Sequence, residues 1–217
     1  TPDCPASPPA GDQIVANFDD QAAVRSLADR VDVLTLEIEL ADPDALTAGG
    51  EATGTPIHPD PADLRMTRDK LEEKRALDAA GIPVPAYQGV DSPADLKTAF
   101  DELGAPLMLK ARTGGYDGRG NAVVESVSAA DAAFGSLSGL IAEELVDFER
   151  ELSVIGAKGK DERRTFPVGE NSHEEEILRE TLVPARTTES RRLRAKSAAN
   201  DVLEVLNGRG VFGIELF

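Results

Sequence analysis

Cysteine is nearly missing. Cys4 is alone among 217 residues, so no intramolecular disulfide can close, and the paired cysteines and histidines of a structural zinc site are lacking too. That usage fits a reducing compartment. No apolar run approaches the eighteen or so residues of a membrane span, and no basic segment followed by an apolar one opens the chain, so an unexported, cytoplasmic protein is expected. Basic residues are scarce: 23 lysines and arginines stand against 40 aspartates and glutamates, for a net charge of −17. Such a surface repels nucleic-acid phosphates and anionic membranes, and any phosphate site must be local. No internal repeat is present. There is no initial methionine either; with Thr1 at one end and an apolar strand reaching Phe217 at the other, both ends look cut.

What is there suffices for a folded protein. At 41% apolar content the chain can build a real core, as one large domain or two small ones. The acids divide into 20 Asp and 20 Glu, the bases into 16 Arg and 7 Lys, and aromatics are 4%. This texture resembles halophilic proteomes, where a dense carboxylate surface stays hydrated in concentrated salt; a merely acidic cytosolic protein reads equally well.

Pro2, Pro5, Pro8 and Pro9 allow only a loop at the start. Asp19 and Asp20 can cap a helix to about Arg30, with Val24, Leu27 and Ala28 on its apolar face, and residues 31–39 alternate into a strand. Together they read as half of a parallel α/β layer. Ile57-His58-Pro59-Asp60-Pro61 is a stiff connector and marks a boundary, giving domains 1–62 and 63–217. One helix is predicted over 63–80, stopped by Gly81, and another from Ser92-Pro93 to Leu103. Beyond it come predicted strands 107–110, 122–124, 140–144, 151–157, 165–168 and 177–183, helices 129–137 and 190–206, and a closing strand 211–217. This mixture is α+β.

The densest chemical signal is Lys110-Ala111-Arg112-Thr113-Gly114-Gly115-Tyr116-Asp117-Gly118-Arg119-Gly120-Asn121. Glycines between two strands let backbone N–H groups wrap an anion, and Lys110 and Arg119 add positive charge in an acidic protein, so a polyphosphate is the natural guest. It is neither a Walker loop nor a dinucleotide fingerprint, since a strand follows rather than a helix. A second signal is acidic: Glu143, Glu144, Glu149, Glu151 and Glu215. Glu149 reads as solvated. Glu215, among Phe212, Ile214, Leu216 and Phe217, reads as an acid on a buried strand, which needs a partner or a metal such as Mg²⁺ bridging nucleotide phosphates.

The Lys110–Asn121 run, Glu143-Glu144-Leu145-Val146, Arg150-Glu151-Leu152-Ser153-Val154-Ile155, Pro167-Val168-Gly169-Glu170-Asn171-Ser172-His173 and Gly210-Val211-Phe212-Gly213-Ile214-Glu215 closely resemble the 5-(carboxyamino)imidazole ribonucleotide synthase family, ATP-grasp enzymes of purine biosynthesis. Val15-Ala16-Asn17-Phe18-Asp19-Asp20, Glu37-Ile38-Glu39, Ile57-His58-Pro59 and Asp69-Lys70-Leu71 fit in order upstream. The resemblance implies the remainder of a Rossmann-like pre-ATP-grasp domain, then an ATP-grasp domain with a small lid at about 84–142. It implies ATP and Mg²⁺ as cofactors, aminoimidazole ribonucleotide and bicarbonate as substrates, and a homodimer. Carried over by position, Lys70 and Lys110 hold ATP phosphates, and Gly115, Tyr116, Asp117, Gly118, Arg119, Gly120 and Asn121 close over them. Glu143, Glu144, Leu145 and Val146 form the adenine hinge, Glu151 takes the ribose hydroxyls, and His173 sits at the nucleotide. Glu215 is a magnesium carboxylate, while Tyr116, Arg119 and Glu37 face the ribonucleotide; Lys110, Tyr116 and Arg119 are the implied catalytic set. The family also has a glycine-rich turn before, and a second magnesium carboxylate after, the stretch that these 217 residues match, so nucleotide binding without turnover is expected of them. Other ATP-grasp ligases and a non-catalytic nucleotide-binding module are the alternatives.

Overall fold

The computed structural model describes Ser7, Ala10 and residues 12–115, 120–174 and 177–217. The expected loop over the first eleven residues falls almost wholly outside them. The chain forms two compact units, Thr1–Arg65 and Met66–Phe217.

In the first unit, α1 (Gln21–Ala28) starts where Asp20 accepts hydrogen bonds from the N–H groups of Ala22 and Ala23. The strand expected over 31–39 shrinks to β1 (Leu34–Thr35): Leu34 is buried and Leu36 packs partly against the same core, while Val31, Val33 and Ile38 stay exposed. An unforeseen helix, α2 (Pro43–Thr53), has Asp42 as its cap, Pro43 in its first turn and Gly54 left-handed at its end. The supposed connector holds β2 (Ile57–His58), parallel to β1. Ala28, Leu34, Ala41, Leu46 and Leu64 form the core of this α/β layer.

The helix predicted over 63–80 is two helices, α3 (Pro61–Thr67) and α4 (Lys70–Ala79). The break follows from Asp69, whose side chain accepts from the N–H groups of Leu71 and Glu72 and so starts a new helix. Next come β3 (Tyr87–Val90), α5 (Pro93–Leu103) capped by Ser92, β4 (Leu107–Ala111), β5 (Asn121–Val124), α6 (Val127–Phe134) and β6 (Leu140–Glu144). Helix α6 begins two residues before the predicted start because Ser126 caps it. The strands form an antiparallel sheet in the order β3-β6-β4-β5. Leu107, Leu109, Leu140 and Ala142 point to the face covered by Leu96, Ala99 and Ala130.

A second antiparallel sheet follows: β7 (Glu151–Lys158), β8 (Arg163–Thr165), β9 (Gly169–Glu174), β10 (Ile177–Leu182) and β11 (Gly210–Leu216), in the order β10-β9-β7-β11, with β8 beside the far end of β7. The strand predicted over 165–168 ends at Thr165, and β9 was not foreseen. Helix α7 (Glu189–Val205) buries Ala195, Ala199 and Leu203 against Leu152, Val154 and Ile214. Among the described residues no helix is long and apolar enough to cross a membrane.

Candidate functional site

Strand alternation fixes what each sheet offers. In the first sheet, Leu107 and Leu109 take the packed face, so Met108 and Lys110 take the other, together with Ile141 and Glu143 from β6. Glu143 is 3% exposed. It is therefore not solvated, unlike the reading given to Glu149. A buried carboxylate must be compensated, and two lysines do this: Lys110 donates from Nζ to Oε2 at 2.9 Å, and Lys74, on α4, lies with Nζ 3.5 Å from Oε1. Burial lowers the pKa of the Lys74 ammonium, although the Glu143 charge pulls it up.

Lys70 stands at the first turn of α4, and that turn is tied to the end of β4. Asp69 accepts from Arg112 Nε at 3.0 Å and Nη2 at 2.6 Å, and the Lys70 N–H donates to the Arg112 carbonyl at 2.9 Å. The backbone at Lys70 is thus tied to the end of the strand that bears Lys110. Of the loop, Gly115, Gly120 and Asn121 are described; Tyr116, Asp117, Gly118 and Arg119 lie outside the described residues. Gly120 has φ +81°, its carbonyl accepts from the Ala111 N–H at 2.7 Å, and a Cβ there would meet that of Ala111 at 3.2 Å. The loop is therefore pinned at its base.

After β6 the chain leaves the sheet. The Glu144 N–H is used by the Ala86 carbonyl at 2.9 Å, and Leu145 and Val146 continue without regular structure into β7. In the second sheet, Leu152 and Val154 face α7, so Glu151 and Ser153 take the open face. Asn171 is directly opposite Glu151 and nearly buried. Its Nδ2 donates to Glu151 Oε1 at 3.1 Å, and its Oδ1 accepts from Ser153 at 3.2 Å and Thr181 at 3.0 Å. His173 Nδ1 is 3.6 Å from Glu151 Oε2. Glu215 is opposite Ser153. The expectation of a buried strand around it is corrected: Phe212, Ile214 and Leu216 turn to the α7 side, while Glu215 itself is exposed on the open face. Glu149 is exposed and 3.2 Å from Arg191. A cavity of about 450 Å³ on the α7 side is lined by Val146, Glu149, Leu152, Arg191, Ala195 and Leu216; Glu151 and Glu215 do not line it.

An ATP-grasp domain model matches residues 75–217, and a ribonucleotide synthetase preATP-grasp domain model matches residues 1–68. The chain belongs to the ATP-grasp family. Its relatives within that family include the N5-carboxyaminoimidazole ribonucleotide synthase of Pseudomonas aeruginosa, 35% identical over 99% of this chain and 59% of that protein. The phosphoribosylaminoimidazole carboxylase of Ogataea methanolica is 36% identical over 95% of this chain and 39% of its own length. Among solved structures, the Aspergillus clavatus N5-carboxyaminoimidazole synthase in complex with ADP and 5-aminoimidazole ribonucleotide superposes with a TM-score of 0.90 at 32% identity, covering 100% of this chain and 57% of that one. The expected resemblance to this synthase family is borne out, as is the pairing of a pre-ATP-grasp with an ATP-grasp domain. The chain spans between about two fifths and three fifths of the relatives it matches.

Within the second unit, sequence reasoning missed Lys74, the Asp69–Arg112 clamp and the orienting role of Asn171 toward Glu151. A signal for the clamp did exist, since Asp69 precedes a helical run and Arg112 opens the glycine loop. Nothing in the sequence paired them. Glu37, in the first unit, is exposed and follows the carboxyl end of the parallel strand β1, the end at which α/β layers take ligands.

Proposed function

We propose that the chain serves the ATP-dependent carboxylation of 5-aminoimidazole ribonucleotide by bicarbonate in purine biosynthesis. A bicarbonate oxygen attacks the γ-phosphorus, ADP leaves, and carboxyphosphate forms. The exocyclic amine then attacks its carboxyl carbon, and inorganic phosphate leaves. The observation that carries this reading is Lys110 at the mouth of the glycine loop, charge-balanced by the buried Glu143 at the end of β6, in a chain similar along nearly its whole length to such synthases.

In this reading ATP lies between the two sheets, with Lys70 and Lys110 on its phosphates and Gly115–Asn121 closing over them. Glu143, Glu144, Leu145 and Val146 form the adenine hinge, where backbone rather than side chains makes the pairing. Glu151, held by Asn171, takes the ribose hydroxyls, and His173 borders the same pocket. Tyr116, Arg119 and Glu37 meet the ribonucleotide. The proposed domains are 1–62 and 63–217, with a lid over about 84–142, a span that includes most of the first sheet; closure of such a lid excludes water that would hydrolyse carboxyphosphate. Homodimer formation and a cytoplasmic location carry over from the resemblance alone.

Magnesium fits the second sheet. Among the described residues no three acidic, histidine or cysteine side chains cluster as a complete metal site, but one exposed carboxylate, Glu215, on the same face as Glu151 matches an ion that takes most of its ligands from phosphates and water. Bound there, it would supply charge neutralisation at the phosphoryl group.

The test is ADP release measured with and without bicarbonate and aminoimidazole ribonucleotide. Dependence on both is expected of the synthase, dependence on other carboxylates and amines points to a different ATP-grasp ligase, and binding without hydrolysis points to a nucleotide-binding module. Lys110→Ala is expected to weaken ATP binding about ten- to hundredfold, since a charge-assisted contact contributes about 1.5–3 kcal/mol. Unchanged affinity would remove Lys110 from the site.

A further inference from the structure

Glu143 is the one buried acid of the first sheet's ligand-facing side, and it has two lysines where one would neutralise it. The two are not equivalent. Lys110 leads into the glycine loop and keeps 25% of its side chain exposed; Lys74 sits behind, on α4, at 15%. Lys110 makes the shorter contact, 2.9 Å against 3.5 Å. Any phosphate that recruits Lys110 must compete with that contact. Were Glu143 paired with Lys110 alone, success would leave a bare carboxylate in a buried place, which is strongly unfavourable.

We propose that Lys74 is a positioning residue: it holds the Glu143 carboxylate so that Lys110 can pass from Glu143 to a nucleotide phosphate without stranding a buried anion. With Lys74 present the cluster carries one net positive charge, which is the charge offered to the ligand. Helix α4 is suited to this role because the Asp69–Arg112 clamp ties its first turn to the strand bearing Lys110. Leu71 lies on Gly89 so closely that a Cβ there would meet its Cδ2 at 2.8 Å, which seats the helix directly on the sheet. This inference rests on reading Lys110 as a phosphate ligand.

The test is ADP affinity of the purified chain, measured by calorimetry, for Lys74→Met in two backgrounds. In the wild-type background Lys74→Met is expected to lower affinity at least tenfold, because Lys110 is then retained by Glu143, while Lys74→Arg stays near wild type. In a Glu143→Gln background there is no carboxylate to hold, and the same substitution should change affinity less than threefold. An equal loss in both backgrounds would overturn the proposal, since Lys74 would then act by packing or by touching the ligand itself; so would no loss in the wild-type background. If Lys74→Met alone does not fold, Lys74→Gln takes its place in both backgrounds, with the same losses expected. Lys110→Met separates this idea from the functional reading: affinity untouched by that change removes the phosphate site, whereas affinity lost there but indifferent to Lys74 removes only the role of Lys74.

Discussion

Asp69 has one carboxylate and four donors: the N–H groups of Leu71 and Glu72, and Nε and Nη2 of Arg112. Burial pushes its pKa up, but the Arg112 hydrogen bonds and charge together with the two backbone donors outweigh that and hold it below the ordinary 3.8. A depressed folded pKa contributes stability that is complete above the unfolded value and is lost as pH falls through the folded one. Asp69→Asn, which can still cap α4, is therefore expected to cost about 1–2 kcal/mol at neutral pH. That deficit should shrink as the medium is acidified below the unfolded value. Urea unfolding of both proteins across this range checks it, and a deficit independent of pH would show that the charge on Asp69 is immaterial. The same residue marks what a sequence can and cannot disclose. Lys110, Glu151 and His173 were chosen by residue type and motif and do lie at sheet faces beside polar partners. Their partners were not foreseen, because Glu143 is 33 positions from Lys110 and Arg112 is 43 from Asp69, and such meetings are decided by strand register rather than by local pattern.

Elements were readable where capping and periodicity agreed. Helix α5 and strand β6 lie where predicted, between Ser92 and Leu103 and from Leu140 to Glu144. Helix α2 was overlooked although Asp42, Pro43 and Gly54 spell out both its ends, since its Ala- and Gly-rich interior gives no apolar stripe. Strand β9 was missed for the opposite reason: Gly169–Glu174 is almost wholly polar, because it serves the open face of the sheet. How tightly the elements meet is a further property that pattern does not carry. A Cβ on Gly156 of β7 would lie 2.8 Å from Cδ1, 3.0 Å from Cδ2 and 3.2 Å from Cγ of Leu203, which is fully buried on α7. All three atoms crowd the site, so no single rotation relieves it. Gly156→Ala is expected to destabilise the second unit by about 1–3 kcal/mol through overpacking. Combining it with Leu203→Ala should cost less than the sum of the two single changes. Additive costs in thermal unfolding would show that helix and strand are not in that contact.

At the scale of the whole molecule the relevant quantity is the charge of −17. Ion pairs such as Arg75–Glu72, Arg65–Asp44 and Arg192–Glu189 are largely exposed, and pairs of this kind contribute little and are weakened by salt. With 40 acids to 23 bases, many carboxylates have no basic side chain to meet, and their mutual repulsion acts against the compact state. Salt therefore has two opposed effects: it removes small attractions and it removes repulsion summed over the surface. Glu143 is buried with Lys74 and Lys110 beside it, and Asp69 and Arg112 are partly buried, so salt weakens these pairs less than the exposed ones. Repulsion should dominate. Raising the ionic strength from about 0.1 M to 1 M shortens the screening length from about 10 Å to 3 Å. A resulting gain of about 2 kcal/mol would raise Tm by about 4–8 °C in a chain of this size. Thermal unfolding in KCl, chosen over sulfate so that screening is not confused with exclusion of the salt from the surface, measures it. A Tm that falls as KCl is added would mean that the exposed ion pairs outweigh the excess of acid, and that the acidic composition reflects no adaptation to salt.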